Sequence, residues 1–183
     1  MSSDYKKLIP VIERAVLKSA KYIVQEAESG KQFESWRKEE NAAVTSLDIK
    51  SNEIIINELG NTLPLVSEES PETHKLIGSR EDYILIDPID GTTACKRFFS
   101  MKGGQVGYGP LIGIVEQGKI VGATFYNVPA RTLFTASLNS GFSKIKYEDF
   151  DKNLETFDKR EKFKVKVQTN LQECVLLFFA SKF

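Results

Sequence analysis

The apolar run Tyr83-Ile84-Leu85-Ile86 leads straight into Asp87-Pro88-Ile89-Asp90-Gly91-Thr92-Thr93, and this junction constrains the fold more than any other part of the chain. A short, continuous apolar run bounded by a turn reads as a buried strand. Its end nevertheless carries two carboxylates, Asp87 and Asp90, which a packed core does not readily hold. Ionised carboxylates are costly to desolvate unless paired, and a cation is the simplest partner for two of them. Pro88 fixes its own φ and removes a donor, so the chain leaves the strand along one path and both acids can face one pocket. Gly91 lets a ligand come close to the backbone, and the amides beyond it can receive an anion. These residues suggest a metal site beside a phosphate site. Asp-Pro and Asp-Gly are also ordinary turn dipeptides, so a plain strand-to-loop turn is the competing reading on spacing alone.

Two further acidic segments bear on that choice. Pro64-Leu65-Val66-Ser67-Glu68-Glu69-Ser70 is another short apolar run ending in acids, and Val44-Thr45-Ser46-Leu47-Asp48 precedes a periodic stretch from Ile49 to Leu59. Taken singly, paired glutamates are usually solvated, and Asp48 is most simply a helix N-cap or first-turn acid. Taken together, the order VTxxD, SEES, DPIDGTT resembles the lithium-sensitive, magnesium-dependent phosphatases of the inositol monophosphatase superfamily. That superfamily includes the inositol monophosphatases and the 3'(2'),5'-bisphosphate nucleotidases. The resemblance runs from the N-terminal helix to about Phe142, through the Tyr126-Asn127-Val128-Pro129 turn.

The resemblance implies a layered α-β-α-β sugar-phosphatase-like fold and a site that uses Mg²⁺. Glu68 would bind the activating metal together with Asp87 and the backbone carbonyl of Ile89. Asp87 would bridge to a second metal, to which Asp90 contributes. The amides of Gly91 and Thr92 would hold the phosphate, and the Thr92 hydroxyl with Asp48 would orient and deprotonate the attacking water. Glu69 would lie behind the ligands or in solvent. Mg²⁺ prefers oxygen ligands, keeps several waters and engages substrate phosphate, which suits such a set. The implied substrate is a small phosphorylated metabolite. Ser67 leans towards the bisphosphate nucleotides, and Thr93 fits inositol monophosphate equally well.

Helical spacing of Leu8, Ile12, Ala15, Val16, Ile23 and Ala27 predicts a long amphipathic helix over residues 4 to 29. Residues 30 to 43 read as a charged loop, and 46 to 59 as a second helix closed by Gly60-Asn61. Residues 70 to 82 read as a surface connection. Leu111–Val115 and Lys119–Phe125 flank Glu116-Gln117-Gly118 as a hairpin, with a further strand at Thr132–Ala136 and another at Phe163–Val167. Helices followed by consecutive strands give an α+β domain. The boundaries expected are 1–142 for an N-terminal α+β domain carrying the site and 143–183 for the start of an incomplete C-terminal α/β domain. Lys102–Gln105 and Gly107–Pro110 have the glycine content of a phosphate loop without P-loop spacing, and read as a flexible loop before the hairpin. Lys96, Arg97 and Arg131 read as surface bases, and Cys95 as a small packing residue.

With 25 basic and 25 acidic residues among 183 the net charge is zero, and no basic block suggests a nucleic-acid polymer. The longest apolar stretch, Cys174 to Ala180, is too short for a membrane span. Two cysteines without metal spacing point to reduced thiols and a cytoplasmic protein. The lone histidine, His74, argues against a histidine-based zinc site or a Ser-His-Asp triad. Members of the family carry a downstream Trp-Asp motif that completes the second metal site, whereas the only tryptophan here is Trp36. The apolar end Leu176–Phe183 would normally be continued and covered, so a chain truncated at its C-terminus is expected, with a homodimer as one means of covering it. The alternative to turnover is accordingly a fragment that binds divalent metal or phosphate without catalysis.

Overall fold

The computed structural model describes residues 5–29, 35–37, 43–101, 107–138, 140–150 and 161–163. Helix α1, Tyr5–Ser29, buries Ile12, Ala15, Val16, Ala20 and Ile23, the face set out by the helical spacing. Helix α2, Ser46–Leu59, stops where predicted: Gly60 takes a φ of 54° and its N–H donates to the Ile56 carbonyl at 3.0 Å. Between them, part of the segment read as loop forms two short antiparallel strands, β1 (Ser35–Arg37) and β2 (Ala43–Thr45). Each is three residues long, too short to show a strand period, which is why sequence reasoning passes over them.

Among the described residues, the remaining strands form one seven-stranded sheet in chain order: β3 (Leu65–Ser67), β4 (Tyr83–Asp90), β5 (Gly109–Glu116), β6 (Lys119–Asn127), β7 (Thr132–Ser137), β8 (Gly141–Lys146) and β9 (Glu161–Phe163). Only β3 and β4 run parallel, and the connection between them holds a short 3-10 helix at Pro71–Leu76. Every other neighbouring pair is antiparallel. The predicted hairpin and the strand after it are present as β5, β6 and β7. β8 contains the expected boundary at 142/143 and pairs along its length with β7. Of the strand expected at Phe163–Val167, only Phe163 lies within the described residues, and Cys174 to Phe183 lie outside them.

One core holds the layers together. α1 packs against α2 and lies across β5 and β6, so Ile12, Val16 and Ile23 meet Ile84, Ile86, Ile112 and Ile114. Gly122 of β6 makes this approach possible, because a Cβ there would stand 2.8 Å from Ile9 Cδ1. Residues 92–101, to which the sequence assigns no element, form helix α3, Thr92–Met101. Gly109, read as part of a flexible loop, opens β5, and a Cβ on it would fall 1.9 Å from the Tyr126 carbonyl oxygen. Its glycine serves close backbone packing, not mobility. Residues 102–106 of that loop lie outside the described residues.

Candidate metal and phosphate site

β4 does not stop before Asp87. It pairs with β5 from Tyr83↔Val115 to Asp87↔Leu111, loses register, and pairs once more at Asp90↔Gly109. In a regular strand, residues three apart point to opposite faces. The irregularity changes this: Ile84, Ile86 and Ile89 all enter the same core, while Asp87 and Asp90 both keep partial exposure. The bulge thus allows both acids to face away from the core.

The parallel β3–β4 pair brings the second acidic segment alongside. Ser67 registers with Ile86, and the Glu68 N–H donates to the Ile86 carbonyl at 3.1 Å, placing Glu68 next to Asp87. The third acid comes from the first turn of α2. Asp48 is the first-turn acid expected, and it is only 3% exposed, a buried carboxylate whose charge acts on Asp87. Its position near the helix N-terminus offsets part of the cost.

Asp87 is the electrostatic centre. Burial, followed by the charges of Glu68, Asp90 and Asp48 and a hydrogen bond with Glu68, pushes its carboxyl up from 3.8 to about 9. Its Oδ1 is sealed from solvent and has no hydrogen-bond partner. A buried acceptor without a donor is costly. Asp90 is also raised by burial, partly offset by a hydrogen bond from the Gly91 backbone. Glu68 is exposed and Glu69 half-buried, its N–H donating to Ser67 Oγ at 3.2 Å.

Gly91 and Thr92 stand where β4 becomes α3. Gly91 has a φ of 83°, and a Cβ on it would meet the Gly107 carbonyl oxygen at 3.1 Å and Tyr108 Cβ at 3.3 Å. The Cys95 N–H donates to the Gly91 carbonyl at 3.0 Å, so the amides at the start of α3 precede the first helical hydrogen bond. Such amides suit an anion. The Thr92 hydroxyl donates to the Ile89 carbonyl at 3.0 Å, so two expected site groups contact each other directly.

Among the described residues, no three or more His, Cys, Asp or Glu side chains gather as a formed metal cage. The acids form an electrostatic cluster around one buried oxygen that lacks a donor. The candidate ligands are all oxygens and the charge is negative, which fits a hard cation in kind. Sequence reasoning missed Tyr108, fully buried against Gly91; its aromatic character in a glycine-rich segment was the available signal. Cys95 is 1% exposed, and burial with nearby Asp48 holds it as a thiol, in keeping with packing.

Residues 4–180 match the sequence model of the inositol monophosphatase family. The chain is 30% identical over 118 residues to the 3'(2'),5'-bisphosphate nucleotidase CysQ of Salmonella typhimurium, covering 63% of this chain and 46% of that protein. It therefore spans about half the length of the curated relative it matches. Among solved structures, CysQ from Bacteroides thetaiotaomicron shares the fold at a TM-score of 0.66 and 21% identity, covering 91% of this chain and 61% of that one. The extragenic suppressor protein suhB from Bartonella henselae gives 0.61 and 25%, covering 78% and 53%. With the family match running through nearly the whole sequence and the fold shared with a solved member, the chain belongs to the inositol monophosphatase family.

Proposed function

We propose that this protein hydrolyses a phosphomonoester of a small metabolite with Mg²⁺, a 3'(2'),5'-bisphosphate nucleotide being favoured over inositol monophosphate. The observation that carries this reading is Asp87, a carboxylate with a sealed, donorless oxygen among three other acids. Glu68, Asp87 and the Ile89 carbonyl are the groups to hold one cation, and Asp87 with Asp90 a second. Bound cations would supply the charge neutralisation that a phosphomonoester demands, since its uncatalysed barrier is very high.

The remaining work falls to the chain itself. The Gly91 and Thr92 amides receive the phosphate oxygens at the start of α3. The one hydrogen of the Thr92 hydroxyl is committed to Ile89, so its oxygen is left to accept a hydrogen from the attacking water. Asp48, fixed in the first turn of α2, takes the second hydrogen of that water. Attack is direct, without a phosphoenzyme. The relative from Salmonella typhimurium, a bisphosphate nucleotidase by name, supports the substrate preference. The proposal includes a cytoplasmic location and a homodimer as a candidate assembly; no described helix is long and apolar enough to cross a membrane.

The test is phosphate release from adenosine 3',5'-bisphosphate and inositol 1-phosphate, with and without Mg²⁺, using Asp87→Asn as the blank. Release that needs both Mg²⁺ and Asp87 is expected, fastest with the nucleotide. Faster release from inositol 1-phosphate would reverse the substrate choice. Mg²⁺ uptake without any release would leave a binding unit and refute turnover by this chain.

A further inference from the structure

The buried side of α2 is apolar at Ile55 and Leu59 but largely polar in its first turns, where an amphipathic helix normally buries apolar residues. Asp48, Ser51 and Asn52 are 3%, 0% and 8% exposed, and their spacing puts them on one side of the helix. Buried polar groups of this kind persist only when their hydrogen bonds are satisfied.

The partners form two ordered chains. Ser51 Oγ lies 2.8 Å from the Pro88 carbonyl, which can only accept, so Ser51 donates. A hydroxyl has a single hydrogen, so the 2.6 Å contact between Ser19 and Ser51 must be donated by Ser19 of α1. Pro88 falls inside the β4 irregularity, between the paired residues Asp87 and Asp90. At the next position of α2, Asn52 Oδ1 accepts from Ser67 Oγ at 2.7 Å, and Ser67 Oγ in turn accepts the Glu69 N–H. Ser67 immediately precedes Glu68. The two acid-bearing segments therefore hang from adjacent residues of one helical turn.

We propose that Ser51 and Asn52 are positioning residues: through the Pro88 carbonyl and the Ser67 hydroxyl they fix the Glu68 segment against the Asp87–Asp90 segment, and so set how tightly the site takes a divalent cation. The proposal rests on the metal-binding part of the function given above. Polar groups that orient ligands from behind typically change metal affinity by about 10–100-fold when removed, and an effect on that order is expected here.

The test uses the full chain and its Ser51→Ala, Asn52→Ala and Ser19→Ala variants. Mg²⁺ binding is measured by calorimetry, and amide hydrogen exchange over residues 87–92 is followed in EDTA. Ser51→Ala and Asn52→Ala should each weaken Mg²⁺ binding by about tenfold or more. Ser51→Ala should also speed exchange over 87–92 while α1 keeps its protection. Ser19→Ala leaves the Ser51–Pro88 bond in place and should weaken binding less, a difference that mere loss of buried packing would not produce. Folded Ser51→Ala and Asn52→Ala that bind Mg²⁺ as the parent does would overturn the proposal. Should Ser51→Ala fail to fold, Asn52→Ala decides alone. A parent that takes up no Mg²⁺ would refute the metal site itself; unchanged exchange in Ser51→Ala would then refute the positioning role, and faster exchange would uphold it.

Discussion

Replacing Asp87 by Asn should stabilise the metal-free protein, and more so as the pH rises. The Asp87 carboxyl is pushed up from 3.8 to about 9, so between those values the folded chain keeps a proton that the unfolded chain has released. Stability then falls with rising pH across that window, because folding takes up a proton. Each pH unit is worth about 1.4 kcal/mol, so the ceiling between about pH 5 and pH 8 is about 4 kcal/mol. Water entering the cluster and the parallel titration of Asp90 reduce this, and about 2 kcal/mol is expected. An asparagine side chain at this position cannot ionise, and its amide offers Glu68 a donor. Urea unfolding in EDTA at about pH 5 and pH 8 measures the effect. The parent should lose about 2 kcal/mol more than Asp87→Asn over that interval, leaving the variant the more stable at the higher pH. Mg²⁺ at about a hundred times its dissociation constant should restore about 2.7 kcal/mol to the parent and nothing to the variant. Parallel pH curves for the two proteins would refute the account of Asp87 as a strained acid.

Two other substitutions probe the frame around the acids. Gly91→Ala would place a Cβ at a φ of 83°, 3.1 Å from the Gly107 carbonyl oxygen, and should cost about 1–3 kcal/mol in thermal unfolding together with any phosphate release; an unchanged melting temperature would count against the close packing. Burial alone would raise the Glu58 carboxyl, but hydrogen bonds and charge from Lys18 and Arg14 hold it below 4.5. That stability is present above the unfolded value and lost as the pH falls through the folded one. Since Lys18 and Arg14 are exposed, Glu58→Gln should cost only about 0.5–1 kcal/mol at about pH 7 in urea, the difference shrinking as the solution is made acidic.

The elements legible in the sequence were those with a clear period or punctuation. α1 announces itself by apolar residues at helical spacing, and α2 by Gly60 behind it. The β5–β6 hairpin is marked by Gln117-Gly118, both at positive φ. α3 was not legible, because Gly91-Thr92-Thr93 combines a helix breaker with β-branched residues, and its start is set by Gly91 packing against Tyr108. β8 mixes Lys, Ser and Phe without alternation and is held by pairing with β7. At the site, the acid segments could be read as a motif, but not the bulge that lets Asp87 and Asp90 share a face. Ser51 and Asn52 look like surface residues in a sequence; only the fold reveals that they are buried.

Ser67 has a second consequence, for how molecules of this protein meet. Among the described residues β3 is an outer strand of the sheet, and Ser67 turns its backbone away from β4. Both outward groups are already taken: its N–H donates to Thr73 Oγ1 at 3.2 Å, and its carbonyl lies 2.8 Å from His74 Nε2. The 3-10 turn thereby caps this end of the edge. An extended segment from a neighbouring molecule finds Ser67 already engaged, so this end of β3 gives the sheet a closed margin against strand-by-strand aggregation.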